Sequence, residues 1–228
     1  MKIALCLSGH LRNFEKTYPS LFFYLIKNYD VDVFIHTWDK LGFSCRFKTD
    51  RTLNDTSTKE SEIKTLYKPK SIIIEPSDFV EDLKRQGDEY APHLRNEPKH
   101  VGHMASMFYK IYACNELKNK YQRDTGTEYD WVIRCRADLI FQSNVEMPKE
   151  KKVGAVWTPR ALSSADWCND QFAIGGPNEM DLYSSAFFDI PEYFRAGGEF
   201  YPEKFLVWAL QKKKLTNVRY DIHFSIYR

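Results

Sequence analysis

The sequence predicts an α/β fold with a Rossmann-type, mainly parallel central sheet flanked by helices. Two observations predict it. Short apolar, β-branched runs alternate with longer stretches whose apolar residues recur at helical spacing, the order expected of a parallel sheet covered on both faces. The runs also stop at Gly-rich or polar residues, as buried strands do where they give way to loops.

Lys2 to Leu7 is the first such run and stops at Ser8-Gly9-His10. From Asn13 to Tyr29, Phe14, Tyr18, Leu21, Phe22, Leu25 and Ile26 follow helical spacing, with Pro19 early enough for a first turn or a break. Val31 to Thr37 reads as a second strand and Lys70 to Glu75 as a third. Between them, Ser44 to Glu62 is polar and reads as a surface excursion, and Gln86 to Gly102 is a second irregular stretch. His103 to Tyr121 carries Met104, Met107, Phe108, Ile111 and Leu117 at helical spacing, placing Lys110 and Lys118 on its wet face. Trp131 to Phe141 then reads as one buried strand. Val153 to Thr158 and Gln171 to Ile174 are further strands, Asn178 to Phe188 and Pro202 to Leu210 helices, and Val218 to Ile226 a closing strand. No repeat or linker interrupts the 228 residues, so a single domain is expected.

A hydrophobic fraction of 43% and a charged fraction of 28% are ordinary for a water-soluble domain. The net charge of +2 gives no electrostatic reason to expect nucleic acid as a partner. The five cysteines form no C-x-x-C pair, so neither a zinc site nor a disulfide framework is supported. No apolar run is long enough to span a membrane, and the N-terminal run is too short for a signal peptide; a cytoplasmic setting is expected.

The most informative segment is Trp131-Val-Ile-Arg-Cys-Arg-Ala-Asp-Leu-Ile-Phe141, an apolar run interrupted by Arg134, Arg136 and Asp138. Charges in a buried strand require compensation. An acid and two guanidinium groups at a strand end fit a site for phosphate oxygens and a divalent cation; the alternative is an internal Arg–Asp ion pair fixing the strand end. Ser8-Gly9-His10-Leu11-Arg12 follows the first strand, where glycine admits close backbone approach and Arg12 offers a bidentate donor; the alternative is a plain turn. His36-Thr37-Trp38-Asp39 ends the second strand at the same edge. His93, His100 and His103 match no tight ligand spacing.

Taken together, Ser8-Gly-x-x-Arg12, Asp32-Val-Phe-Ile-His-Thr-Trp-Asp39, Arg134-Cys-Arg-Ala-Asp138 and Asp170-Gln-Phe-Ala-Ile-Gly175 resemble small GT-A-type glycosyltransferases of bacterial polysaccharide loci and large DNA viruses. The resemblance covers nearly the whole chain. It implies a nucleotide-diphosphate sugar as donor and a glycan or glycoprotein hydroxyl as acceptor. It also implies a nucleotide-binding part over residues 1–141 and an acceptor-binding part over 142–228. The usual Asp-x-Asp pair, whose acids bind Mn²⁺ or Mg²⁺, reads Arg136-Ala-Asp138 here, leaving Asp138 as the metal candidate. Donor contacts are expected from Ser8, Gly9, Arg12, His36, Arg134, Arg136 and Asp138. Asp170, then Asp166, are candidates for the base that takes the acceptor proton, each with a turn or cap as the plainer alternative. Trp167 and Glu203 are candidates for acceptor contacts, Trp167 as a sugar platform. The same fold kept as a catalytically inactive nucleotide-sugar or glycan-binding module is the alternative function, favoured by Arg136 in an acid's place.

Overall fold

The computed structural model describes residues 1–42, 56–94, 101–160 and 167–227. Strand β1 (Lys2–Ser8) is buried at every position after Lys2, as a strand with helices on both faces must be. It lies between β2 (Asp30–Trp38) and β4 (Trp131–Cys135), parallel to both, with Leu7 opposite Ile35 and Cys135. Strand β3 (Ser71–Glu75) continues the parallel set beyond β2. On the other side of β4, β7 (Phe172–Gly175) runs antiparallel, followed by β6 (Ala155–Pro159) and β8 (Thr216–Tyr220). The order is therefore β3-β2-β1-β4-β7-β6-β8. The fold is α/β, with a mostly parallel central sheet between helices.

Side-chain alternation divides the core into two layers. One face packs on α1 (Phe14–Tyr24) and α2 (Glu60–Tyr67) through Leu5, Leu7, Phe14, Leu21, Ile63 and Ile133. The other packs on α3 (Phe79–Tyr90), α4 (Val101–Thr125), α5 (Pro177–Ser184), α6 (Ile190–Arg195) and α7 (Pro202–Lys212) through Cys6, Phe34, Leu83, Phe108, Val132 and Phe205.

Three sequence expectations are corrected here. Trp131 to Phe141 is not one strand: the chain leaves the sheet after Cys135, turns at Ala137-Asp138 and resumes as β5 (Leu139–Phe141). Val218 to Ile226 likewise splits into β8 and β9 (Phe224–Ile226), and β5 pairs antiparallel with β9 in a separate two-stranded sheet. The charges sit at the break: Arg136 and Asp138 bond each other where the chain turns out of the sheet. Helices α2, α3 and α6 lie in stretches read as irregular or left unassigned. The wet-face placement of Lys110 and Lys118 also fails, since both are fully buried.

Candidate functional site

The site lies where β1 and β4 point their carboxyl ends outward. The chain proceeds from β1 to β2 and β3 on one side and returns to β4 on the other, so this is the switch point at which open α/β sheets form a ligand crevice. The loop after β1 is bent by two residues in the left-handed region, Gly9 at φ +98° and Arg12 at φ +51°. Gly9 donates its N–H to the His36 carbonyl at 3.2 Å and Arg12 to the Leu41 carbonyl at 3.0 Å, which ties the loop to the end of β2. A side chain at Gly9 would meet no atom within 4 Å, so the space beside this backbone is open.

The turn after β4 faces that loop. Asp138 is fully buried and accepts from Arg136 Nε at 2.9 Å and Nη2 at 2.6 Å, and from Arg12 Nη1 at 2.6 Å. Burial pushes its carboxyl up, but Arg136 and Arg12 outweigh burial and hold it below the usual carboxylate range. Thr17 of α1 donates its hydroxyl to the Ala137 carbonyl, and Tyr227 N–H bonds the Asp138 carbonyl at 2.8 Å, so helix and C-terminal strand both fix the turn. Asp138 is thus the internal ion-pair partner that the sequence left as an alternative.

Arg134 does not join them. Its side chain points into the helical layer over α4 and α5, is 2% exposed, and donates to the backbone carbonyl of Asp170. Its expected diphosphate contact is therefore replaced by a positioning role: it holds the segment entering β7. The Asp170 carboxylate itself makes no hydrogen bond or ion pair among the described residues and lies within electrostatic reach of Arg134 and Arg136. Asn169 Oδ1 accepts from Gln171 N–H at 2.8 Å, an Asx turn that presents Asp170 at the strand's start. Asp166 lies outside the described residues.

Ser8 ends β1 opposite His36, 5% exposed, and its hydroxyl has no hydrogen-bond partner among the described residues. His36 is not an open nucleotide contact. It is buried against Lys110, whose Nζ stands 3.2 Å from His36 Nδ1. Lys110 also bonds Glu75 Oε2 at 2.6 Å and the Thr37 carbonyl at 2.9 Å, and lies 3.4 Å from the Trp38 ring centroid. Burial and then Lys110 lower His36 to about 4; burial lowers Lys110 to about 8 against the pull of Glu75. Glu75 and Lys110 form a buried network that the sequence did not reveal, because a helix lysine and a strand-end glutamate 35 residues apart carry no pairing signal. Trp38 serves that network and the core rather than an open ring platform.

Trp167 stands 5.3 Å from the Tyr201 ring centroid at the start of α7, and the Glu203 carbonyl accepts Cys168 N–H at 3.3 Å. These join the Asp170 segment to the α7 N-terminus, so Trp167 and Glu203 are brought to one region.

The one carboxylate at the turn has both oxygens occupied by guanidinium N–H groups, and among the described residues no three His, Cys, Asp or Glu side chains converge as a metal site. These residues as placed do not fit Mn²⁺ or Mg²⁺. No helix among the described residues is long and apolar enough to cross a membrane.

Residues 1–226 match the model of a family described as a domain of unknown function (DUF7796), and the chain belongs to that family. No curated protein matches the sequence.

Proposed function

We propose that this member of the family is a GT-A-type glycosyltransferase that moves a sugar from a nucleotide-diphosphate donor to a glycan or glycoprotein hydroxyl. One observation carries the reading. At the switch point, Arg12 and Arg136 gather on Asp138, while the Asp170 carboxylate lies within electrostatic reach of Arg136 and has no hydrogen bond or ion pair among the described residues. Cleavage of the sugar–phosphate bond leaves negative charge on the departing diphosphate, and guanidinium groups aimed at that charge lower the barrier. For an inverting transfer, the Asp170 carboxylate takes the proton of the acceptor hydroxyl as its oxygen bonds the anomeric carbon. A positioned base of this kind contributes about 10²–10⁴-fold. Trp167 beside Tyr201 supplies the aromatic surface on which an acceptor sugar stacks.

The test is nucleoside diphosphate release from a panel of UDP-, GDP- and dTDP-sugars with mixed glycan acceptors. Turnover of one donor, lost by at least about 10²-fold in Asp170→Asn with donor affinity kept, is the expected result. Arg136, where the related enzymes carry an acid, favours the second reading of an inactive binding module. Tight donor binding with no turnover by the wild-type protein would select it.

A further inference from the structure

The expected divalent cation and the residues of the turn disagree, and the disagreement points to a different way of holding the donor. Resting on the transferase reading above, we infer that this edge binds the diphosphate through the guanidinium groups of Arg12 and Arg136 without a divalent cation, Asp138 serving as the internal counter-ion that sets them in place.

Four observations support this. First, Asp138 is spent as a ligand: it is fully buried, Oδ2 accepts from both Arg12 and Arg136, and Oδ1 accepts from Arg136. Second, the local charge has the wrong sign for a cation. At the turn the two guanidinium groups of Arg12 and Arg136 meet the single carboxylate of Asp138, leaving an excess positive charge there that repels a metal ion and attracts a diphosphate. Third, the guanidinium groups still reach solvent. The Arg12 and Arg136 side chains are 18% and 13% exposed while Asp138 is 0% exposed, and Arg136 turns only its Nε–Nη2 edge to Asp138, so Nη1 carries no hydrogen bond among the described residues. A phosphate oxygen can therefore be met without breaking the ion pairs. Fourth, the Ser8 hydroxyl is buried without a partner among the described residues at the same strand end, and the space beside Gly9 is open. An orphaned hydroxyl there has a use if an oxygen-rich ligand completes it.

In this arrangement Asp138 is a positioning residue. It prevents two like-charged guanidinium groups from separating and lets the phosphate oxygens replace water rather than a protein partner.

Isothermal calorimetry with the full chain tests the inference, using UDP, GDP, dTDP and inorganic pyrophosphate, each in EDTA and in Mn²⁺. The expected result is binding of at least one nucleoside diphosphate in EDTA, with a Kd within about twofold of that in Mn²⁺, and no heat from Mn²⁺ alone. Arg136→Gln, with its unfolding midpoint checked, is expected to weaken that Kd about 10–100-fold, the loss of one charge-assisted contact. Binding that needs Mn²⁺ overturns this inference and leaves the transferase reading intact. No binding of any nucleoside diphosphate in either condition overturns both. A folded Arg136→Gln with wild-type affinity overturns the guanidinium assignment alone.

Discussion

Asp138→Asn perturbs the centre of the turn while hardly changing its volume. In the wild-type protein Asp138 Oδ2 accepts from two guanidinium groups and Oδ1 from a third N–H. An amide supplies one acceptor oxygen and turns an NH₂ toward at least one guanidinium, so the two cations lose the anion they share at the turn. Removing one partner of a buried ion pair costs about 3–5 kcal/mol. Arg136 and Arg12 keep some contact with water, at 13% and 18% exposure, which sets the expectation at the low end, about 3 kcal/mol. For a chain of this length that lowers Tm by roughly 6–12 °C. Differential scanning calorimetry reads the change directly. The double variant Asp138→Asn/Arg136→Gln should recover part of the loss, because it removes a cation together with its anion. A Tm unchanged or raised in Asp138→Asn would refute the reasoning, since it would mean that Asp138 is not the anchor of the turn.

Thr17→Val removes the hydroxyl that satisfies the buried Ala137 carbonyl, and about 1–3 kcal/mol of stability should go with it, read by urea unfolding. Gly9→Ala forces a Cβ onto a backbone at φ +98° with nothing to clash against, so its cost is about 1–2 kcal/mol of local strain, and the added methyl should weaken nucleoside diphosphate binding measured by calorimetry. His10 and His36 both titrate near 4 in the folded chain, chiefly through burial, with Arg12 adding at His10 and Lys110 at His36 while Glu75 opposes. Between pH 6.5 and 4 the unfolded chain binds protons that the folded chain does not, so stability falls as pH falls through that window. From pH 7 to 5 each histidine should remove about 2 kcal/mol, and His36→Gln should flatten the pH profile of urea unfolding by about that amount.

The first half of the sheet was legible because β1 is a short buried apolar run and β2 and β3 are runs rich in β-branched residues. The helices that were missed share a reason. In α3 only Leu83 and Gly87 are buried among charged neighbours, and in α2 only Ile63 and Tyr67, so neither shows an apolar stripe wide enough to read. The split of Trp131 to Phe141 was hidden for a different reason. Local pattern favours one strand, but the partner that captures Leu139–Phe141 is Phe224–Ile226, more than 80 residues away. At the site, the internal Arg–Asp pair that the sequence left as an alternative forms at the turn after β4. Arg12, Arg136 and Asp138 meet, whereas Arg134, two residues before Arg136, points to the opposite layer and grips a backbone carbonyl. His36 was expected as a ligand contact because it ends a strand at the site's edge; it is instead buried against Lys110, which the helix spacing had placed on the wet face.

Hydrogen exchange with and without saturating nucleotide sugar tests most directly the claim that the β1–β4 edge is the donor site. The account predicts slowed exchange in the segments around Gly9–Arg12 and Arg136–Asp138. A hollow of about 490 Å³ bounded by Met1, Trp131, Lys149 and Lys151 opens at the opposite, amino-terminal ends of these strands and should not respond. Protection confined to that hollow, or to any region other than the loops after β1 and β4, would contradict the account.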